Sequence, residues 1–370
     1  MIKLSIRSAA DILNASKDDL PDTDFTGVTI DSRKSCVNQM FVALKGDNFD
    51  GHRFVQAAYD NGAVVALVET RQNCSIPQIE VADCRVAMAK LANFWRHHCA
   101  PLVLSLTGSN GKTTVKEMLY QILANEAPTH ATRGNLNNDI GVPLTLFELD
   151  SSHRFAIVEM GANHRGEIAN LANIAEPEIV YVNNVAAAHL AGFGDVQGVK
   201  EAKGELYAYC RPEHKALFNA DEVATDYWKG ICAATTRLDC AVNQQADVTA
   251  NWEATDSGLS VSFSHLQQQA FCELNVMGEH NARNALAAVS MAVLAGVSVE
   301  RAAENLAGFS GVKGRLQLMV GPNHSRLIDD SYNANPNSLE AGIKVVCALE
   351  ASLIISADDV WKDQLPAELG

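Results

Sequence analysis

Residues 102–114, Leu-Val-Leu-Ser-Leu-Thr-Gly-Ser-Asn-Gly-Lys-Thr-Thr, constrain this chain more than any other stretch. The apolar run 102–106 predicts a buried strand. It breaks at Thr107, Gly108, Ser109, Asn110 and Gly111, and a helical pattern starts at Lys112 and Thr113. A strand that feeds a helix through a glycine-bearing turn aims several backbone N–H groups inward. The helix N-terminus adds partial positive charge, so the junction is a phosphate cradle. Lys112 can reach terminal phosphates, and the Thr113 hydroxyl suits a magnesium ion. Strict Walker A spacing asks for glycine where Leu106 stands, so the loop is a compact relative of that motif. An ordinary strand–turn–helix can carry the same glycines; Gly-Lys-Thr in register with the turn favours phosphate.

The strand–helix alternation continues around this junction, which predicts an α/β class with a mostly parallel sheet covered on both faces. Expected strands are 102–106, 155–159, 179–184 and 215–219; expected helices are 113–124, 166–175, 197–209 and 281–295. The last is apolar almost all round and should be deeply packed, with Asn281 as a cap and Gly296 ending it. Residues 245–277 alternate as strands do (Leu259, Val261, Phe263) and read as an antiparallel appendage. Before the loop lie short strand-like pieces at 28–30, 40–44 and 63–68, a helical segment near 54–61 and a helix at 85–100. After Gly314 come a strand at 326–330, a helix near 338–349 and a run at 351–355. With 370 residues and about 100–200 residues per domain, the division expected is 1–84, 85–314 and a short unit, 315–370, that looks incomplete.

Composition narrows the partners. A formal charge of −15 argues against nucleic acid, which favours basic surfaces. It leaves room for small anions bound in a locally positive cradle. No apolar run approaches the roughly 18 residues of a membrane span, and the first residues carry charges where a signal peptide has its apolar core. Nine cysteines without a Cys-x-x-Cys pair read as scattered reduced thiols. A cytoplasmic location is expected.

Ligands of parallel sheets bind beyond the carboxyl ends of the strands. Glu159 ends the strand 155–159, where it could hold magnesium or serve as a loop cap. His189 follows the strand ending in Asn183 and Asn184, and fits either a ligand or a packed residue. Lys203 shares a helix face with Val199, Leu206 and Tyr207. It would either snorkel or lie buried with a depressed pKa and a reactive neutral amine. Asp31-Ser32-Arg33 and residues 45–52 fit ligand contact or turn chemistry equally. Asp329 and Asp330, adjacent carboxylates at a strand end, lean towards ligand contact.

The strings Thr-Gly-Ser-Asn-Gly-Lys-Thr at 107–113, Glu-Met-Gly-Ala at 159–162, Ala-His-Leu at 188–190, Ala-Lys-Gly-Glu at 202–205 and His-Asn-Ala-Arg-Asn-Ala at 280–285 resemble the Mur ligases in order and spacing. These enzymes add amino acids or a dipeptide to the UDP-linked peptidoglycan precursor. Residues 329–336, Asp-Asp-Ser-Tyr-Asn-Ala-Asn-Pro, and 137–144 look like the branch that adds D-alanyl-D-alanine. Residues 31–33 and 50–54 are shared with the branch that adds the third residue. The resemblance implies a small precursor-binding α/β domain, a central P-loop ATPase domain and a C-terminal Rossmann-like domain. It implies ATP at 107–113, with Thr113 and Glu159 on a first Mg2+ and His189 on a second. Lys203 stands where relatives carry a carbamylated lysine that supports that second metal. Asn281 and Asn284 would approach adenine; Arg315, Asp329, Tyr332 and Asn333 would contact ribose or phosphate. Asp31, Ser32, Arg33, Lys45 and Gly46 would serve the UDP-sugar end, with Asn137 and Asn138 also on the substrate. The implied partners are UDP-N-acetylmuramoyl-tripeptide and D-alanyl-D-alanine, acting on a monomer without membrane insertion.

The resemblance fades after Leu349, where relatives continue into a complete closing domain. A truncated, non-catalytic or weakly active nucleotide- or precursor-binding form of the same family is the alternative expectation. Folate polyglutamate ligases share the loop and central domain, but they usually lack the strings at 31–33 and 329–336.

Overall fold

The computed structural model of the chain describes residues 1–46, 48–187, 190–320, 326–332 and 336–347. Two sheets carry the fold. The smaller is parallel, in the order Val28–Thr29, Met40–Val42, Val65–Val68, Gln78–Glu80. Its inner strands are buried on both faces, as parallel strands between two layers are. Met40, Val42, Val65 and Leu67 point into one apolar cluster, and Phe41, Ala43, Ala66 and Val68 into another, which is the two-residue period of a strand.

The larger sheet has nine strands, in the order Thr129–Ala131, Phe155–Glu159, Leu102–Thr107, Ile179–Val182, Lys215–Asn219, Thr236–Ala241, Val248–Thr255, Gly258–His265, Gln268–Leu274. The first seven are parallel, and the last two reverse direction in turn. The strand Leu102–Thr107 is made before either neighbour in the sheet. The order therefore switches sides at it, the place where open α/β sheets take ligands. Leu104 and Leu106 face one cluster, with helices Lys112–Ala124 and Glu279–Leu294. Val103 faces the other, with Ile168, Val199 and Leu206.

The helix Cys84–Cys99 packs against Ile6–Leu13, Gly141–Phe147 and Glu167–Ala175, and its Met88 and Leu91 share one apolar cluster with Val42 and Leu67 of the smaller sheet and Val103 and Val158 of the larger. It therefore bridges the two sheets. A last pair of strands, Gln317–Val320 and Arg326–Asp329, is antiparallel and is followed by the helix Pro336–Cys347. The run expected at 351–355 lies outside the described residues.

Two expectations need correction, and one strand was not expected. The segment expected as an appendage is part of the main sheet, because Val248 and Thr249 pair in parallel with Cys240 and Ala241. The strand that receives it, Thr-Arg-Leu-Asp-Cys-Ala, is too polar to announce itself. Asn281 does not cap its helix, which starts at Glu279 from Gly278 at φ 88°. A carboxylate suits the first turn, and Glu279 pairs there with Arg283 at 2.7 Å. Finally, Thr129–Ala131 forms the sheet edge, in a segment of three residues, too short to show a period.

Candidate active site

The loop between Leu102–Thr107 and Lys112–Ala124 is held on both flanks. On one, Thr107 Oγ1 donates to the Met160 carbonyl at 2.7 Å, tying the loop strand to the segment after Glu159. On the other, Asn183 Nδ2 donates to the Asn110 carbonyl at 2.8 Å, and Asn110 N–H donates to Asn184 Oδ1 at 2.9 Å. Ser109 N–H donates to the Asn184 carbonyl at 3.0 Å. Asn183 Nδ2 also reaches Asn284 Oδ1 at 3.3 Å, and Asn284 Nδ2 reaches Asn281 Oδ1 at the same distance. Gly111 precedes the helix at φ 77°, and a Cβ there would lie 2.5 Å from Asn183 Nδ2 and from Asn284 Oδ1.

Lys112 folds back on its own loop, with Nζ donating to the carbonyls of Gly108 at 2.8 Å and Ser109 at 3.2 Å. Burial lowers its pKa; Glu159 pulls the other way, and Arg315 lowers it further. Glu159 sits beside the loop because Phe155–Glu159 pairs in parallel with Leu102–Leu106. Its carboxylate is buried. Oε1 accepts from Asn137 Nδ2 at 2.8 Å, and Oε2 has no hydrogen-bond partner.

Thr113 lies in the first helical turn and accepts a hydrogen bond from Arg315 Nη2 at 3.1 Å. Arg315 stacks over the Tyr332 ring at 4.3 Å, and its Nε is buried without a partner. A hydroxyl and an unpartnered carboxylate oxygen are hard donors of the kind magnesium takes alongside water and phosphate oxygens. Among the described residues no group of three or more His, Cys, Asp or Glu is arranged to hold a metal, so a two-donor magnesium site suits these residues better than a zinc site.

Lys203 does not snorkel: it is 2% exposed, with Nζ 5.5 Å from the centre of the Phe193 ring. Burial, reinforced by the charge of Lys112, pushes its pKa down to about 7. A sizeable fraction of the amine is therefore neutral near neutral pH. His189 and Asn333 lie outside the described residues.

The remaining residues occupy other positions. Asn138 Oδ1 accepts from Gly141 N–H at 2.8 Å, at the start of the helix Gly141–Phe147. Asp329 Oδ1 accepts from Ser331 N–H at 3.1 Å and Ser331 Oγ at 2.6 Å. Asp31 grips Arg33 through Nε at 2.8 Å and Nη2 at 3.1 Å, and that pairing pulls the Asp31 pKa down to about 2. Ser32 offers its carbonyl to Asn61 Nδ2 at 2.8 Å, and Lys45 and Gly46 form an exposed strand. Asp31, Ser32 and Arg33 follow the strand Val28–Thr29 of the smaller sheet, and Lys45 and Gly46 pair with Phe49–Asp50 in a short hairpin. Sequence inspection did not single out Asn183 and Asn184 as loop supports. Two amides in a row at the end of an apolar strand were the available signal.

Residues 106–292 match the Mur ligase middle domain, and residues 24–96 match the Mur ligase family, catalytic domain. The chain is 39% identical, over 97% of its length and 79% of the relative's, to the UDP-N-acetylmuramoyl-tripeptide--D-alanyl-D-alanine ligase of Haemophilus influenzae. The chain belongs to the Mur ligase family. Among solved structures, this Mur ligase resembles MurF from Acinetobacter baumannii with a TM-score of 0.89 and 37% identity, over 94% of this chain and 77% of that one. It also resembles MurF ligase from Thermotoga maritima in complex with ADP, with a TM-score of 0.77 and 26% identity, over 87% of this chain and 74% of that one.

Proposed function

We propose that this Mur ligase joins D-alanyl-D-alanine to UDP-N-acetylmuramoyl-tripeptide at the expense of ATP, releasing ADP and phosphate, as a step of peptidoglycan precursor synthesis. The observation that carries it is the likeness, over 97% of the chain, to a ligase of that name. The compact loop, Lys112 and Glu159 come together at one sheet end, as such a reaction needs.

In this reaction the terminal carboxylate of the tripeptide attacks the γ-phosphorus, giving an acyl phosphate and ADP. The amine of D-alanyl-D-alanine then attacks the acyl carbon, and phosphate leaves. Two anions must meet, so the protein's task is positioning and charge compensation. The loop 107–113 and the N-terminus of the helix it feeds cradle the phosphates. Lys112 exchanges the Gly108 and Ser109 carbonyls for phosphate oxygens, which keeps its charge beside the transferred group. Thr113 and Glu159 would hold a magnesium ion, which supplies charge neutralisation on the phosphate oxygens.

Lys203, as a carbamate, together with His189 would hold a second magnesium. Asn281 and Asn284 serve the adenine side, and Arg315, Asp329, Tyr332 and Asn333 the ribose or phosphates. Asp31, Ser32, Arg33, Lys45 and Gly46 serve the UDP-sugar, with Asn138 near the substrate. The working form is a cytoplasmic monomer; the cysteines from Cys36 to Cys272 are free thiols, which suits a reducing compartment. Among the described residues no helix is long and apolar enough to cross a membrane.

Two measurements test this. With ATP and the tripeptide precursor alone, a burst of about one ADP per active site is expected, followed by turnover when D-alanyl-D-alanine is added. ADP release indifferent to the precursor sinks the ligase reading. For Lys203, 13C-labelled bicarbonate should give a carbamate carbonyl signal that is lost in Lys203→Met. A signal of equal size in both proteins removes the carbamate.

A further inference from the structure

We infer that Asn137 is a positioning residue that aims the Glu159 carboxylate, and that residues 132–137 form a clamp on the end of its strand. This rests on the proposed function, in which Glu159 holds magnesium.

Both ends of the segment grip the same residue. Thr132 Oγ1 accepts from the Glu159 backbone N–H at 3.0 Å, and Asn137 Nδ2 donates to Glu159 Oε1 at 2.8 Å. Asn137 is itself fixed. Its carbonyl accepts from Gly161 N–H at 2.8 Å, and a Cβ on Gly161 would come within 2.9 Å of its Oδ1. The other end is anchored by Lys116, which is 1% exposed and donates from Nζ to the Thr132 carbonyl at 2.6 Å. That ammonium also pairs with Glu117 at 2.6 Å, which offsets the penalty of burying it. Lys116 stands one turn beyond Lys112 on the loop helix, so the helix that carries the phosphate lysine also holds the clamp.

The chemistry requires this arrangement. A buried carboxylate with no donors turns freely between two equivalent oxygens. With Oε1 occupied by an amide N–H, one lone oxygen, Oε2, is left unpartnered and buried, in a fixed direction. Partners that orient a metal-ligating carboxylate typically change metal affinity by about 10–100-fold when removed. A purely structural amide would leave metal affinity alone.

The test titrates Mg2+ into the full chain with a non-hydrolysable ATP analogue, followed by calorimetry, alongside binding of the same analogue without metal. Asn137→Leu keeps the bulk and removes the donor. It should raise the Mg2+ midpoint by about tenfold or more and leave metal-free nucleotide binding unchanged. Gly161→Ala, which keeps the amide but crowds it, should shift the midpoint in the same direction. If Asn137→Leu does not fold, Asn137→Ser, too short to reach Oε1, carries the same expectation. An unmoved Mg2+ midpoint in a folded variant, or an equal loss of metal-free binding, overturns the assignment while the ligase reading stands. A wild-type chain that binds the analogue without any response to Mg2+ overturns both.

Discussion

His130 shows what burial does to a single side chain in this protein. It is 7% exposed, packs edge-on against His153, and its Nε2 has no hydrogen-bond partner, with Glu148 Oε2 4.0 Å away. Burial first, then the charges of His153 and Arg133, push its pKa down to about 4. Between pH 6.5 and 4 the unfolded chain takes up a proton that the folded chain refuses. Stability is therefore complete above about 6.5 and falls as pH drops towards 4, by up to about 3 kcal/mol. His130→Asn should flatten this acid limb, and urea midpoints at pH 7 and pH 4.5 check it; equal losses in both proteins refute it. At this scale Lys112, Thr113 and Glu159 were legible, because strand ends and a glycine turn are local patterns. The burial of Lys203 was half legible, as a lysine on an apolar face. Thr132, Asn137 and Lys116 were not legible in their roles, since each acts on a partner 16 to 27 residues away, and Lys116 looks like any surface helix lysine.

The phosphate loop is an element whose shape depends on one glycine. Gly111→Ala places a side chain at φ 77° and drives its Cβ into two buried asparagine amides. Positive φ alone costs about 1–3 kcal/mol, and the displaced amides release the Asn110 carbonyl. ATP affinity should fall by at least about tenfold, since one lost interaction of about 1.4 kcal/mol has that effect. Gly296→Ala is the control, with positive φ but open space around it; it should lower stability and leave ATP binding intact. Equal ATP affinities for the two variants contradict this account. The long elements were legible because their apolar period is strong. The strand Thr236–Ala241 and the edge strand Thr129–Ala131 owe their state to neighbours in the sheet, and such neighbours leave no periodic trace in a short polar segment.

Across the whole molecule, one apolar cluster runs from Ile2, Phe25 and Leu67 through Met88, Leu91 and Trp95 to Val142, Ile168 and Leu206. The expected boundary at residue 84 cuts straight through it. Trp95 is central, 6% exposed, with Nε1 donating to the Leu149 carbonyl at 2.9 Å. Trp95→Ala should cost about 3–5 kcal/mol and shift one shared unfolding transition for both sheets. Two separated transitions in the wild type, one of them untouched by the substitution, go against it. The shared core was hidden in the sequence because a helix at a boundary shows its apolar face without showing how many bodies it touches.

The contact between Arg315 and Thr113 spans 202 residues. During synthesis the loop, its helix and the parallel sheet around them are all made before the guanidinium emerges. The contact therefore closes on a loop and a sheet that are already made. A nascent chain halted before residue 315 would carry the loop and Lys112 without the cation that reaches Thr113, so order of manufacture withholds this contact until the whole central sheet exists.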